Sequence, residues 1–291
     1  MRFSHLISES NDTPRLAVIL GDRALFVSEV LDSPPRDLQD LIERGDTALE
    51  TLRDAVAMVQ NSDVSLPPVE HFRHASAVLR PPQVIAIGAN YAAHASELKL
   101  RSEKAATIFS LWPNSLTGHN STTSWPSELT SQVDYEAELG VIIGKPAKNV
   151  SVADALDYVW GYTVVNDITA RDLQFSEAQW SRCKSFDGFT PNGPVVVTAD
   201  EINDPQDLWL TTNLDGTIVQ DASTAEMVRS VAEIIEFLSR SATVPPGTLI
   251  STGSPGGAGY SRTPPVFLHD RSTVTVSIGG IGYLTTHCQV I

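Results

Sequence analysis

The sequence predicts an α+β protein rich in strands, and three observations carry that expectation. Apolar runs are short, and several alternate with a period of two. Helical periodicity is confined to a few segments. The order of strand-like and helix-like segments is too irregular for a doubly wound sheet or an eight-fold barrel. Composition fits a globular enzyme, with 42% hydrophobic and 19% charged residues in a chain of 291. That length suffices for one large domain with a small companion.

Met1–Ile7, Leu16–Leu20 and Arg23–Val27 are predicted as strands, because apolar residues there alternate with Asn-Asp and Gly-Asp turn signals. Leu38 to about Val59 is predicted as one helix, with Leu41, Ile42, Leu49, Leu52, Val56 and Val59 at helical spacing. Asn61–Pro68 and the pair Pro81-Pro82 punctuate the chain. The expected organisation is a small N-terminal domain, residues 1–78, and a larger domain, residues 79–291.

Within the larger part, Val84–Gly88 reads as a buried strand and Asn90 to about Leu98 as a helix. Val133–Ile143 alternates throughout. Val133, Tyr135, Ala137, Leu139, Val141 and Ile143 share one face; Asp134, Glu136, Glu138, Gly140 and Ile142 share the other. A strand over Val159–Asp167 and a helix over Thr169–Trp180 follow. Ser223-Thr-Ala-Glu226 has the capping-box pattern for a helix running to about Arg240, with Met227, Val231, Ile234, Ile235 and Leu238 as its apolar stripe. Leu249–Thr252, Val266–Leu268 and Val274–Ile278 complete the expected strands.

Charge excludes some functions. The formal net charge is −15, from 20 Lys+Arg against 35 Asp+Glu, so the chain repels a phosphate backbone and nucleic acid is not an expected partner. No apolar run approaches the roughly 20 residues of a membrane helix, and no secretory signal pattern opens the chain. Cys183 and Cys288 have no metal-type spacing. The expected setting is cytoplasmic and reducing.

The alternating strand carries the strongest chemical signal. Residues two apart on a strand are separated by about 6.5–7 Å, so neighbouring Glu side chains can converge on one ion. Two readings stand: a metal site, or the wet face of an edge strand. Ile142 on the carboxylate face suggests burial, where adjacent carboxylates need a cation between them. Asp167 is the candidate third ligand, with a helix N-cap as its other reading. An all-oxygen set favours Mg²⁺, Mn²⁺ or Ca²⁺ over zinc. Arg171 and Gln174, at i and i+3, suit a substrate carboxylate, or Arg171 pairs at the surface with Asp172 or Glu177. Lys184, a lone cation amid aromatic residues, suits an enolate or extends to water. His94 and Glu97 form a candidate water-activating pair or an exposed helix pair. Thr252–Gly259 is glycine-rich but lacks a phosphate-loop ending; its backbone N–H groups suit a carboxylate, or it is a plain tight connection.

In order, these segments resemble the fumarylacetoacetate hydrolase family. The similarity runs from about residue 79 to 278. It rests on Gly88-Ala-Asn-Tyr-Ala-Ala-His94-Ala-Ser-Glu97, Val133-Asp-Tyr-Glu-Ala-Glu-Leu139, Gly161-Tyr-Thr-Val-Val-Asn-Asp-Ile-Thr-Ala-Arg-Asp-Leu-Gln174, Lys184-Ser-Phe-Asp-Gly-Phe and Pro246 to Gly259. The resemblance implies a mixed β-sandwich roll with a metal, Mg²⁺ or else Mn²⁺ or Ca²⁺, at its open end. It places metal ligands on Glu136, Glu138 and Asp167, and catalytic roles on His94, Glu97 and Lys184. It places substrate binding on Arg171, Gln174, Thr252 and Gly253, with His94 and Glu97 on a lid. A homodimer is implied.

The implied activity is metal-dependent hydrolysis of the C–C bond of a small 2,4-dioxo acid. Oxaloacetate decarboxylation or tautomerisation, and 2-oxo-4-enoate hydration or isomerisation, are its family alternatives. A non-catalytic 2-oxo acid binder is the reading from another class. Two positions depart from the family pattern: Leu111 stands where relatives often have Lys, and Ser254 where they have Thr.

Overall fold

The computed structural model of the chain describes residues 1–98 and 106–291. Its strands in chain order begin with β1 (Arg2–Ser8), β2 (Asn11–Leu20), β3 (Arg23–Phe26), β4 (Val84–Gly88), β5 (Thr107–Ser110), β6 (Ser121–Trp125) and β7 (Ala137–Ile143). They continue with β8 (Val159–Asn166), β9 (Thr190–Thr198), β10 (Trp209–Leu214), β11 (Thr217–Ser223), β12 (Leu249–Ser251), β13 (Thr273–Ile278) and β14 (Gly282–Val290). Among the described residues the main sheet follows the order β3-β2-β1-β9-β8-β7-β12-β4-β5, and a second sheet follows β11-β10-β13-β14-β6. The α+β, strand-rich class is the one expected. No helix among the described residues is long and apolar enough to cross a membrane.

The strand β7 shows why the layers form. Its two faces bury into two separate apolar clusters. Leu139, Val141 and Ile143 join residues of the second sheet, such as Leu210, Val276 and Leu284, and the stripe Val231, Ile234, Ile235 and Leu238. Ile142 joins Val165, Val196 and Leu249 beneath Leu38, Leu41, Leu52 and Val56 of the N-terminal helices. Each large aliphatic side chain buried in this way contributes about 1.5–3 kcal/mol. The wet-face reading of this strand is thereby excluded: β7 lies between β8 and β12, and all seven of its residues are buried.

Several expected boundaries shift, each for a local reason. The helix expected over Leu38–Val59 is two helices, α1 (Leu38–Arg44) and α2 (Asp46–Gln60), separated at Gly45, whose φ of 75° no helix accommodates. The alternation over Val133–Ile143 breaks at Tyr135–Glu136, because the Asn166 side chain takes the Glu136 N–H at 3.1 Å and interrupts the ladder. The helix α3 (Ala92–Glu97) follows β4 as expected.

Helix α4 (Arg171–Ser176) is shorter than the Thr169–Trp180 expected, and Thr169–Ala170 pairs instead with Val133–Asp134. Trp180 packs edge-on against Phe109, at 5.4 Å between ring centroids, and a continued helix would not carry it there. The Ser223–Glu226 capping box is real but caps only a single 3₁₀ turn; α5 (Val231–Ser241) has its own box, Ser230 with Glu233. Met227 therefore lies outside the helix. Val266–Leu268 is not a strand.

A buried histidine ties the N-terminal strands to α1. The Nε2 of His5 accepts the Leu38 N–H at 3.1 Å, and its Nδ1 faces the Ala77 carbonyl at 3.1 Å. Nδ1 therefore carries the single proton and the ring is neutral. Burial lowers its pKa from 6.5 to about 4, against an opposing pull from Asp37. The unfolded chain takes up this proton near 6.5 and the folded chain only near 4. The stability held by neutral His5 is thus complete above pH 6.5 and is lost as pH falls towards 4. Urea unfolding should show on the order of 3 kcal/mol lost to this group across that window. The profile of His5→Leu, starting from lower stability, should be shallower by about that amount.

Candidate metal centre

The register of the central strands assembles the site. Ala137 pairs with Asn166, so the next residues outward, Glu136 and Asp167, face each other where β7 begins and β8 ends. On the other side Gly140 pairs with Ser251, which brings the end of β12 and the Thr252–Gly259 loop to the same edge. Strand β4 runs parallel to β12, so α3 leaves from that edge as well. Lys184 precedes β9, which pairs with β8.

The carboxylates of Glu136, Glu138 and Asp167 are buried, with one oxygen from each lying within 4.8 Å of the others. Lys184 Nζ donates to Glu136 Oε2 at 2.6 Å, Asp167 Oδ2 at 2.7 Å and Thr169 Oγ1 at 2.7 Å. Its ammonium lies 5.5 Å from the Phe109 ring centroid. Glu138 Oε2 accepts from Ser251 Oγ at 2.6 Å and from the Gly253 N–H at 2.8 Å. Gly253 has φ of +100°, and a Cβ there would stand 2.7 Å from Asn90 Cβ, so only glycine brings this N–H to Glu138.

Arg171 is fully buried. It donates from Nε to Asp134 Oδ2 at 2.9 Å and from Nη1 to Gln174 Oε1 at 2.9 Å, and Nη2 lies 2.7 Å from Glu136 Oε1. The last contact is an ion pair without hydrogen-bond alignment. Asp134 is no member of the acidic triad; it also accepts the N–H groups of Gly259 at 2.9 Å and Tyr260 at 3.0 Å. It thereby fastens the glycine loop to Arg171.

His94 Nδ1 donates to Glu97 Oε2 at 3.1 Å, and its Nε2 lies 3.2 Å from Glu136 Oε1. Glu97 Oε1 accepts the Gly257 N–H at 2.8 Å. Burial works against protonated His94, but Glu136 and Glu97 outweigh it and raise the pKa. Burial pushes Glu97 upward, while His94 and the Gly257 N–H hold it below the ordinary carboxylate range.

Burial thus decides among the readings the residues left open. His94 is 3% exposed, Arg171 0% and Lys184 2%, which excludes an exposed His–Glu pair, a surface arginine and a lysine reaching water. Asp167 is not an N-cap: α4 begins after Ala170, with no side-chain cap. The glycine loop is no plain connection, since its N–H groups bind Glu138, Glu97 and Asp134.

Electrostatics test whether a cation fits. Four buried carboxylates, Asp134, Glu136, Glu138 and Asp167, face two fixed cations, Arg171 and Lys184. Burial opposes ionisation of Glu136, yet Lys184 and Arg171 hold its pKa well below the usual range. Glu138 has no such partner; burial, Asp167 and Glu136 push it well above the range. Asp167 rises to about 6, through burial and despite Lys184. Glu136 Oε1 and Asp167 Oδ1 are buried without a hydrogen-bond donor. Oxygen ligands, surplus negative charge and orphaned acceptors all suit a hard dication such as Mg²⁺ or Mn²⁺.

A narrow cleft opens over the triad, lined by His94, Gln174, Lys184 and Ser254 and by the apolar groups of Ile87, Leu98, Phe109 and Trp180. Gln174 Nε2 is buried there without a partner. Of the other residues expected to bind substrate, Thr252 Oγ1 donates to the Leu139 carbonyl at 2.9 Å, and the Gly253 N–H is held by Glu138. Leu111 does not line the cleft but packs in the apolar cluster beneath the N-terminal helices. Sequence reasoning assigned no role to Thr169, Ser251, Phe109 or Trp180. Their partners lie far along the chain, and only the carboxylate face at Asp134 gave a local signal.

Known proteins resemble this chain in sequence and fold. Residues 83–289 match the family model described as the C-terminal domain of fumarylacetoacetate (FAA) hydrolase. The mitochondrial oxaloacetate tautomerase of Rattus norvegicus is 38% identical over 251 residues, covering 86% of this chain and 79% of its own. Fumarylacetoacetate hydrolase from psychrophilic Exiguobacterium antarcticum matches with a TM-score of 0.85 and 34% identity, over 100% of both chains. Maleylpyruvate hydrolase from Sphingobium sp. SYK-6, solved with manganese(II) and pyruvate, matches with a TM-score of 0.82 and 26% identity, over 100% of this chain and 99% of that one. The chain belongs to the fumarylacetoacetate hydrolase family.

Proposed function

We propose that this chain is a divalent-metal-dependent hydrolase that cleaves the C–C bond of a small 2,4-dioxo acid, with Glu136, Glu138 and Asp167 as metal ligands. One observation carries the reading: buried His94, paired with half-buried Glu97, presents Nε2 to the same cleft as the acidic triad and Lys184. A dication bound there supplies Lewis-acid polarisation of the 2-oxo acid end of the substrate. With a dication on Glu136, the pull of that carboxylate on His94 would be offset, and His94, oriented by Glu97, would take the proton of a water at Nε2 as that water adds to the remote carbonyl. The C–C bond then breaks, and its electron pair stays on the pyruvate fragment as an enolate. Lys184 Nζ meets the negative charge on that enolate oxygen. Protonation at carbon completes release of a 2-oxo acid and a carboxylic acid.

In this reading Gln174 Nε2 holds the substrate's carboxylate end. Arg171 acts through Gln174 and Glu136, because its nitrogens already face protein groups. Thr252 and Gly253 hold the loop that supports Glu138. Leu111 packs in the apolar cluster under the N-terminal helices and supplies no charge to the cleft, where relatives often have Lys at this position.

A second reading, keto–enol tautomerisation of oxaloacetate, is favoured by the name of the 38%-identical rat relative. It uses His94 to move a proton between carbon and oxygen and needs no attacking water. Turnover of acetylpyruvate, fumarylpyruvate and oxaloacetate, followed by ultraviolet absorbance with Mg²⁺ or Mn²⁺, separates the two. Loss of diketone absorbance with pyruvate formed supports hydrolysis. Conversion of oxaloacetate alone supports tautomerisation or decarboxylation. Tight 2-oxo acid binding with no turnover supports a non-catalytic binder.

Glu136→Ala should lose metal binding and turnover together, and EDTA should abolish wild-type activity; activity retained in metal-free buffer would defeat the proposal. Arg171→Ala should destabilise the fold by about 3–5 kcal/mol in urea unfolding, because Asp134 is left buried without its cation and Glu136 keeps only Lys184 and His94.

A further inference from the structure

Gln220 comes from the second sheet and touches two parts of the site at once. Its Oε1 accepts the backbone N–H of Ala137 at 3.0 Å, at the start of the ligand-bearing strand, and the hydroxyl of Thr212 at 2.8 Å. A backbone N–H can only donate, so the amide has one orientation, with Nε2 facing the glycine loop. From there Nε2 donates to Ser254 Oγ at 2.9 Å and to the Pro255 carbonyl at 3.0 Å. Both amide hydrogens and both lone-pair directions of this buried side chain are thereby used.

The consequence falls on Ser254. Its oxygen accepts from Gln220, so its own proton must point elsewhere. Ser254 is 2% exposed and lines the cleft with Gln174, Lys184 and the acidic triad. The geometry points to Gln220 as a positioning residue that turns the Ser254 hydroxyl into a hydrogen-bond donor aimed into the cleft, where it contacts a carboxylate or enolate oxygen of the bound 2-oxo acid. This inference rests on the reading that the cleft binds a 2-oxo acid. It adds what sets the direction of one of the contacts. Gln220 itself does not line the cleft.

A double-mutant cycle on the Mn²⁺-loaded protein, titrated with pyruvate by calorimetry, tests the assignment. Ser254→Ala should bind pyruvate about 10- to 100-fold more weakly, the range for a lost hydrogen bond to a charged acceptor. Gln220→Met, which keeps side-chain length but removes the donor, should weaken pyruvate binding in the wild-type background. It should add nothing in the Ser254→Ala background, because no hydroxyl remains to direct. Mn²⁺ affinity should stay at the wild-type value in both single variants, and Ser254→Thr, which keeps the hydroxyl, should bind pyruvate as the wild type does.

Additive losses, or Mn²⁺ affinity falling in step with pyruvate affinity, would show Gln220 to be a structural brace only and would overturn the inference. If Gln220→Met fails to fold, Ser254→Ala decides alone, and unchanged pyruvate affinity overturns the inference. Failure of the wild-type holoprotein to bind pyruvate would instead remove the functional reading on which the inference stands.

Discussion

The structure depends on a surplus of buried negative charge at one end of the central strand β7. Glu136 lies where three cationic or proton-bearing groups meet: Lys184, Arg171 and His94. Isolated carboxylates in such a place would carry a desolvation penalty of several kcal/mol each. The two fixed cations keep Glu136 ionised, but Glu138 and Asp167 are left with raised pKa values. A dication is the simplest group that supplies the positive charge Glu138 lacks and fills the place beside the orphaned Asp167 Oδ1. The fold holds this arrangement because each residue of the acidic triad sits on, or immediately beside, a strand of one sheet.

The rigidity of the site follows from burial on both sides. One face of β7 packs into the core between the sheets, and the other into the core under the N-terminal helices. A strand held in this way cannot slip by one residue without exchanging its two faces. The glycine loop then reaches three of the acidic groups, each by a different N–H: Gly253 to Glu138, Gly257 to Glu97 and Gly259 to Asp134. The loop thus couples the His94–Glu97 pair on α3 to Glu138 of β7 and to Asp134. Asn90 completes the coupling, donating to the carbonyls of Thr252 and Arg229 from the start of that segment.

Much of this was legible in the sequence wherever the signal was local. The alternation over Val133–Ile143 placed Glu136 and Glu138 on one face, and the strand ending near Asp167 gave a third carboxylate. The short N-terminal strands and β4 fall close to where their apolar residues put them. Helix ends were less legible, because the capping box at Ser223 and Glu226 satisfies a single 3₁₀ turn as well as a long helix. The helix expected to reach Trp180 stops at Ser176, because aromatic packing with Phe109 lies beyond any local pattern. Arg171 reads as a substrate clamp in sequence. Its bonds to Asp134 and Gln174 and its ion pair with Glu136 appear only once residues 3 to 37 apart are brought together. Gln220 gives no local signal at all, since its partners Ala137 and Ser254 lie 83 and 34 residues away.

The central claim is that this charge pattern constitutes a metal site, and direct binding tests it. Mn²⁺ titrated into metal-free protein and followed by electron paramagnetic resonance should reveal one saturable site per chain. That site should disappear when Glu136, Glu138 and Asp167 are together replaced by their amides. A wild-type chain with no saturable site, or a site undiminished in the triple variant, would contradict the account.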